Sequence, residues 1–111
     1  MIFQSILNDF QNSSNGTDAF KNLKNQCEKA IQDLDNFPQY SALFLIYGFA
    51  KNYVLLYEDQ AVTSDFALEA KQQLIDYMVR LNGALQSQDA VIILEQLNLV
   101  IKNYNASSKL F

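Results

Sequence analysis

ALFLIYGFAKNYVLLY, residues 42–57, is the stretch on which the fold turns. Large apolar side chains occupy nearly every position, and no Pro interrupts them, so a helix over about 38–59 would be apolar on almost all sides. With Gly48, Lys51 and Asn52 inside it, the stretch falls short of the ~20 apolar residues a membrane span needs. Each large side chain left in water forfeits roughly 1.5–3 kcal/mol, which predicts a central, buried helix enclosed by other helices or by them and a second subunit. Gly48 costs about 1 kcal/mol relative to Ala in a helix interior, and the close approach of a neighbouring helix is the expected reason for it.

The flanking segments have the patterns of covering helices. Ile2, Phe3, Ile6, Leu7 and Phe10 recur at helical spacing up to about Gln11, predicting a short first helix. The polar run Asn12-Ser13-Ser14-Asn15-Gly16 is a loop. A second helix follows, capped by Thr17 or Asp18, with Phe20, Leu23, Cys27, Ala30 or Ile31, and Leu34 as its dry face, and it ends before Pro38. Thr63 or Ser64 caps the fourth, whose apolar positions run from Phe66 to Leu85. Gly83 and Gln86-Ser87 mark its end, and the last helix takes Ser87 as cap and stops near Asn105. The expected architecture is all-α and a single domain over residues 1–111. In it, four main helices form a compact antiparallel bundle, with a short N-terminal helix added and the third helix at the centre.

Composition agrees with this and narrows the function. Half of the 111 residues are apolar, against three Gly and one Pro, which disfavours disorder and turn-dense β folds. Eight basic and twelve acidic groups give a net charge of −4, the wrong balance for a phosphate-binding surface, so nucleic acid is not an expected partner. Cys27 is the only cysteine and lies on the dry face of its helix, where a thiol acts as a small hydrophobe. The N-terminal residues lack a basic region followed by an apolar run, so no secretory signal is expected and the cytoplasm is the expected compartment.

The chain has no histidine, which removes the commonest general base and metal ligand and every Ser-His or Cys-His nucleophile pair. Three isolated glycines make neither a phosphate loop nor a dinucleotide fingerprint. No cofactor, metal site or catalytic residue is expected. Asp33, Asp35 and Asn36 are spaced like the opening of a calcium loop, but the turn glycine and closing glutamate are missing. Asp65, Glu69 and Asp76 fall along one side of the fourth helix and are the candidates for a carboxylate-dependent hydrolase, although a solvated helix face explains them more simply. Tyr47, Tyr53 and Tyr77 are the candidate lining of a pocket for a small apolar or aromatic ligand.

Val91, Ile92 and Leu99 lie off the main apolar stripe of the last helix and are the candidate partner interface. The segment Leu74-Ile75-Asp76-Tyr77-Met78-Val79-Arg80, with Asp89 and the helix after it, resembles the C-terminal half of flagellar export chaperones. Its spacing from Met78 to Asp89 departs from theirs, and their N-terminal Ser-Pro region and leucine-rich motif are absent, so the resemblance implies only that such a bundle can serve as a chaperone. The leading expectation is a non-enzymatic protein-interaction module of bacterial type, as a homodimer or as an adaptor, chaperone or immunity-like bundle. The alternatives are the apolar-ligand binder and the hydrolase.

Overall fold

The computed structural model describes residues 1–111 as five α-helices and one 3₁₀ segment, with no strand. In chain order they are α1 (Ile2–Gln11), α2 (Thr17–Ile31), the 3₁₀ segment (Leu34–Gln39), α3 (Tyr40–Tyr57), α4 (Ser64–Ser87) and α5 (Ala90–Ala106). The protein is all-α, and no helix is long and apolar enough to cross a membrane.

Local chemistry sets the boundaries. The Thr63 hydroxyl accepts from the Phe66 amide at 3.1 Å and starts α4, while the Asp89 carboxylate accepts from the amides of Val91 and Ile92 at 2.9 and 3.3 Å and starts α5. Three expectations about boundaries are corrected. Helix α2 opens on Gly16 without a side-chain cap, which leaves Thr17 and Asp18 inside its first turn. Ser87 closes α4 instead of capping α5, its hydroxyl donating back to the Ala84 carbonyl at 2.5 Å. Gly83 lies within α4, because a helix tolerates a glycine at about 1 kcal/mol, and the chain turns at Gln88 with φ 56°. Pro38 lacks an amide hydrogen and sits in the 3₁₀ segment, so the α-helix starts two residues later, at Tyr40. The Asp33 carboxylate accepts from the Asp35 amide at 3.0 Å and so serves as the cap of that segment.

One apolar cluster of 24 buried residues draws on all five helices. Helix α1 is more than an addition: Phe3, Ile6, Leu7 and Phe10 are buried, and it packs against both α2 and α4. Polar contacts hold it there. The Phe3 amide donates to the Gln39 side chain at 2.9 Å, and the Asn82 and Gln86 side chains of α4 both donate to the Gln4 side-chain Oε1, at 2.6 and 2.9 Å. Lys71, a buried cation on α4, donates to the Ser13 and Ser14 carbonyls just past the end of α1, and its ammonium lies 5.4 Å from the centre of the Phe10 ring. Burial pushes its pKa below the ordinary 10.5.

Aromatic rings join the helices in two groups. Phe10 of α1 meets Phe20 of α2 edge-on; Phe20 stacks on Tyr53 of α3, and Tyr53 leads through Tyr57 to Phe66 of α4. In the second group, Phe49, Tyr77 and Tyr104 from α3, α4 and α5 surround Phe111, which the segment after α5 folds back into the core.

Within one copy of the chain the other helices enclose α3 only in part. Ala42, Leu43, Ile46, Phe49, Ala50, Tyr53 and Val54 are buried, mainly against α2, but the opposite side of α3 meets solvent. Looseness is not the cause. The radius of gyration is 13.4 Å, against about 13 Å for a compact chain of this length. Helix α5 lies along α4, and α5 and the segment after it reach α3 mainly through Tyr104 and Phe111, so they cover only one edge of α3. Apart from its chain neighbours and the backbone of its own helix turn, no heavy atom lies within 4 Å of where a Gly48 Cβ would stand, so no neighbouring helix approaches it within one copy of the chain.

Candidate functional site

The open side of α3 is an apolar surface the fold leaves uncovered, as is the run of Val91, Ile92, Leu94 and Ile101 on α5. Phe44, Gly48 and Leu55 lie at i, i+4 and i+11 and therefore share one helix face. Phe44 is 65 % exposed, Leu55 72 % and Leu56 54 %. A fully solvated face would be polar, and single exposed apolar residues such as Leu68 and Val79 on α4 are ordinary. A run of them on one helix is not.

An aromatic ridge forms one flank of this face. Phe37, on the 3₁₀ segment, packs on Tyr40 with ring centres 5.3 Å apart, and one turn on Phe44 packs on Tyr47 at 5.9 Å. The Lys51 ammonium lies 5.9 Å from the centre of the Tyr47 ring, and it is the only charged group on α3. The Tyr40 hydroxyl donates to the Asp33 carbonyl at 3.0 Å, which holds the ridge against the end of α2.

On the other flank is a hollow of about 690 Å³ between the start of α3 and the start of α5. Pro38, Gln39 and Ser41 form one wall, Ala90, Leu94 and Leu97 the other, and Leu85 and Ile93 also line it. Its polar groups are few: the amides of Gln39 and Gln88 and the Ser41 hydroxyl. A separate, smaller hollow near the C-terminal end of α3 is lined by Asn52, Leu55, Leu56, Tyr104 and Phe111.

No family model, curated protein or solved structure matches this chain. Geometry and chemistry are therefore what bear on function.

The residues expected to form sites are placed as follows. Tyr47, Tyr53 and Tyr77 do not converge. Tyr53 is buried against Phe20 on the α2 side, Tyr77 packs in the Phe111 group, and Tyr47 stands on the outer ridge, because six residues along a helix turn a side chain by about 240°. None of the three lines the hollow between α3 and α5. Ile92 and Leu99 share a face of α5, with Leu99 half-buried, and Val91, 73 % exposed, is about 100° round the helix from Ile92. That face is turned away from the hollow, which Leu94 lines instead. Asp65, Glu69 and Asp76 are exposed with Gln72 and Gln73 along a shallow strip of α4, where Gln72 donates to Asp76 at 3.0 Å. No group of three or more Cys, Asp or Glu side chains is arranged to hold a metal ion.

Phe44, Leu55 and Leu56, expected to be covered by this chain or by a second subunit, stand in solvent in a single copy. The sequence did hold a signal: Ser41, Gly48, Lys51 and Asn52 all fall on one side of the helical wheel. An apolar helix that collects its small and polar residues on one arc has a side facing something other than its own core.

Proposed function

We propose that this chain is a non-enzymatic protein-interaction module, a helical bundle of the adaptor, chaperone or immunity kind, acting in a bacterial cytoplasm. The observation that carries the proposal is the open face of α3, where Phe37, Phe44 and Leu55 stand in solvent beside Tyr40 and Tyr47. Exposed aromatic rings gathered on a rigid helix are what protein interfaces use as anchors, since each carries a large contact area at a small entropy cost. The charge of −4, with few clustered cations, favours a protein partner over nucleic acid. A fully buried lone thiol suits a reducing compartment.

Affinity capture from the native organism, read by mass spectrometry, tests this. Wild type should retain a defined protein, itself included, and Phe44→Glu with Leu55→Glu should lose it. Equal recovery by wild type and variant would remove the reading. The hollow between α3 and α5 favours one alternative, the binding of a small apolar ligand, because its volume falls in the range of ligand sites. Thermal shifts on adding fatty acids or hydrophobic metabolites, abolished by Leu94→Glu, would favour that alternative. The carboxylate strip would act as a hydrolase site only if a divalent-metal-dependent activity disappeared when Asp65, Glu69 and Asp76 were neutralised.

A further inference from the structure

Resting on the interaction reading and deepening it, we infer that the partner seated on the open face of α3 is a second copy of this chain, related by a two-fold axis running along that helix. Four observations lead there.

The first is charge. Each copy carries −4, so contact through most of its surface sets carboxylates against carboxylates. Helix α3 contains no Asp or Glu, and Lys51 is its only ionised group. A basic foreign partner would be steered to acidic surface, and this face offers it none. A second acidic copy meets no repulsion there.

The second is shape. Gly48, near the midline of the face, separates the ridge of Phe44 and Tyr47 from the hollow beside Ser41. A two-fold axis along α3 exchanges the two flanks while preserving height along the helix, so each copy's ridge comes to lie over the other's hollow. This is the self-complementarity an isologous interface requires. The two Lys51 ammonium groups then fall on opposite flanks.

The third is Gly48 itself. A glycine there destabilises the helix by about 1 kcal/mol, and the monomer offers no contact to explain it. Ser41, Gly48 and Leu55 recur every seven residues along the seam, and small side chains at the first two permit close approach of a second helix.

The fourth is area. Taking about 175 Å² for a fully open large side chain, Phe37, Phe44, Leu55, Leu56 and Leu94 together expose on the order of 500 Å². That is most of the roughly 800 Å² each partner contributes to a standard interface.

Sedimentation velocity from about 1 to 200 µM tests the inference. Wild type should show a concentration-dependent dimer, and Phe44→Glu with Leu55→Glu should weaken it about 100-fold or more while helical content stays unchanged and the thermal midpoint equals that of wild type diluted to the monomer, both positions being exposed. Mild oxidation should give a covalent dimer from Ser41→Cys or Gly48→Cys, each close to its own counterpart across the axis, and none from the control Gln72→Cys on α4. Cys27 is buried and need not be removed. A monomer at every concentration, a dimer indifferent to the glutamates, or cross-linking only from the control overturns the inference. A monomer that retains a different protein through Phe44 and Leu55 overturns self-pairing and leaves the interaction reading standing. A monomer that retains nothing removes both.

Discussion

The ring of Tyr53 lies flat on that of Phe20, with centres 3.8 Å apart and planes within 16°, while its hydroxyl is buried with no hydrogen-bond partner. The contact joins α2 to α3, the most extensively packed pair of helices, and its hydroxyl is a cost the core bears. Tyr53→Phe keeps the stack and removes the orphaned oxygen, so stability should stay level or rise by about 1 kcal/mol. Tyr53→Ala, which leaves a cavity, should lose about 3–5 kcal/mol. Urea denaturation measures both, and a loss above about 1 kcal/mol for Tyr53→Phe would show that the hydroxyl has a partner after all.

Cys27 is wholly buried, and desolvation pushes its thiol pKa from 9.0 up to about 12. The unfolded chain therefore releases this proton first, and the stability that the neutral thiol contributes is complete below pH 9.0 and lost as pH rises from 9.0 towards about 12. In that window wild type should lose up to about 1.4 kcal/mol per pH unit more than Cys27→Ala. The raised pKa of Tyr53 acts in the same direction and the lowered pKa of Lys71 in the opposite one, so the difference between the two proteins isolates the thiol. At neutral pH a disulfide reagent should label Cys27 only after denaturant is added; labelling of the native protein at the unfolded rate would contradict the burial.

Helix caps separate what the structure uses from what the sequence offered. Asp89→Ala and Thr63→Ala should each cost about 1 kcal/mol, since both side chains accept from free amides at a helix start. Thr17→Ala should change stability by less than about 0.5 kcal/mol, because Gly16 holds the cap position and no side chain bonds there. Thermal unfolding of the three variants orders them, and a Thr17 effect equal to that of Asp89 would contradict the assignment.

Phe111 anchors the segment after α5. Its ring sits among Phe49, Tyr77 and Tyr104, and the Tyr104 hydroxyl donates to the Phe111 carbonyl at 2.6 Å. On α5 itself only Val100 is buried, so this anchor supplies much of the helix's attachment. Phe111→Ala should cost about 3 kcal/mol and speed amide exchange along α5 more than along α2. Uniform acceleration in all helices would mean that α5 unfolds only with the whole protein.

Glycine at two helical positions can be replaced to advantage. Neither Gly48 nor Gly83 has a heavy atom within 4 Å of the added Cβ, so Ala at each should raise stability by about 0.5–1 kcal/mol when measured on the Phe44→Glu, Leu55→Glu monomer. A loss at Gly48 in that monomer would reveal an intramolecular contact absent from the structure.

The sequence alone determined the all-α class, the approximate helix spans, the loop at Asn12–Gly16, the start of α4 at Thr63 or Ser64 and the dry face of α2 as far as Ala30, because each follows from backbone chemistry and a 3.6-residue period acting over a few neighbouring residues; Leu34, expected on that face, lies beyond the end of α2 and is exposed. Only the tertiary structure decided which side of α3 is dry. Burial depends on what stands opposite a residue: Phe49 is covered because Tyr104 and Phe111 come round from the far end of the chain, and Phe44 is open because nothing does. The same holds for the tyrosines, whose separation follows from their angles around α3 and from the partners waiting there, and for the hollow, which exists only where α5 runs beside α3 without closing on it. Hydrophobicity can state that a side chain is better off covered, but it is non-directional, and so it cannot say whether the cover belongs to the same chain or to another.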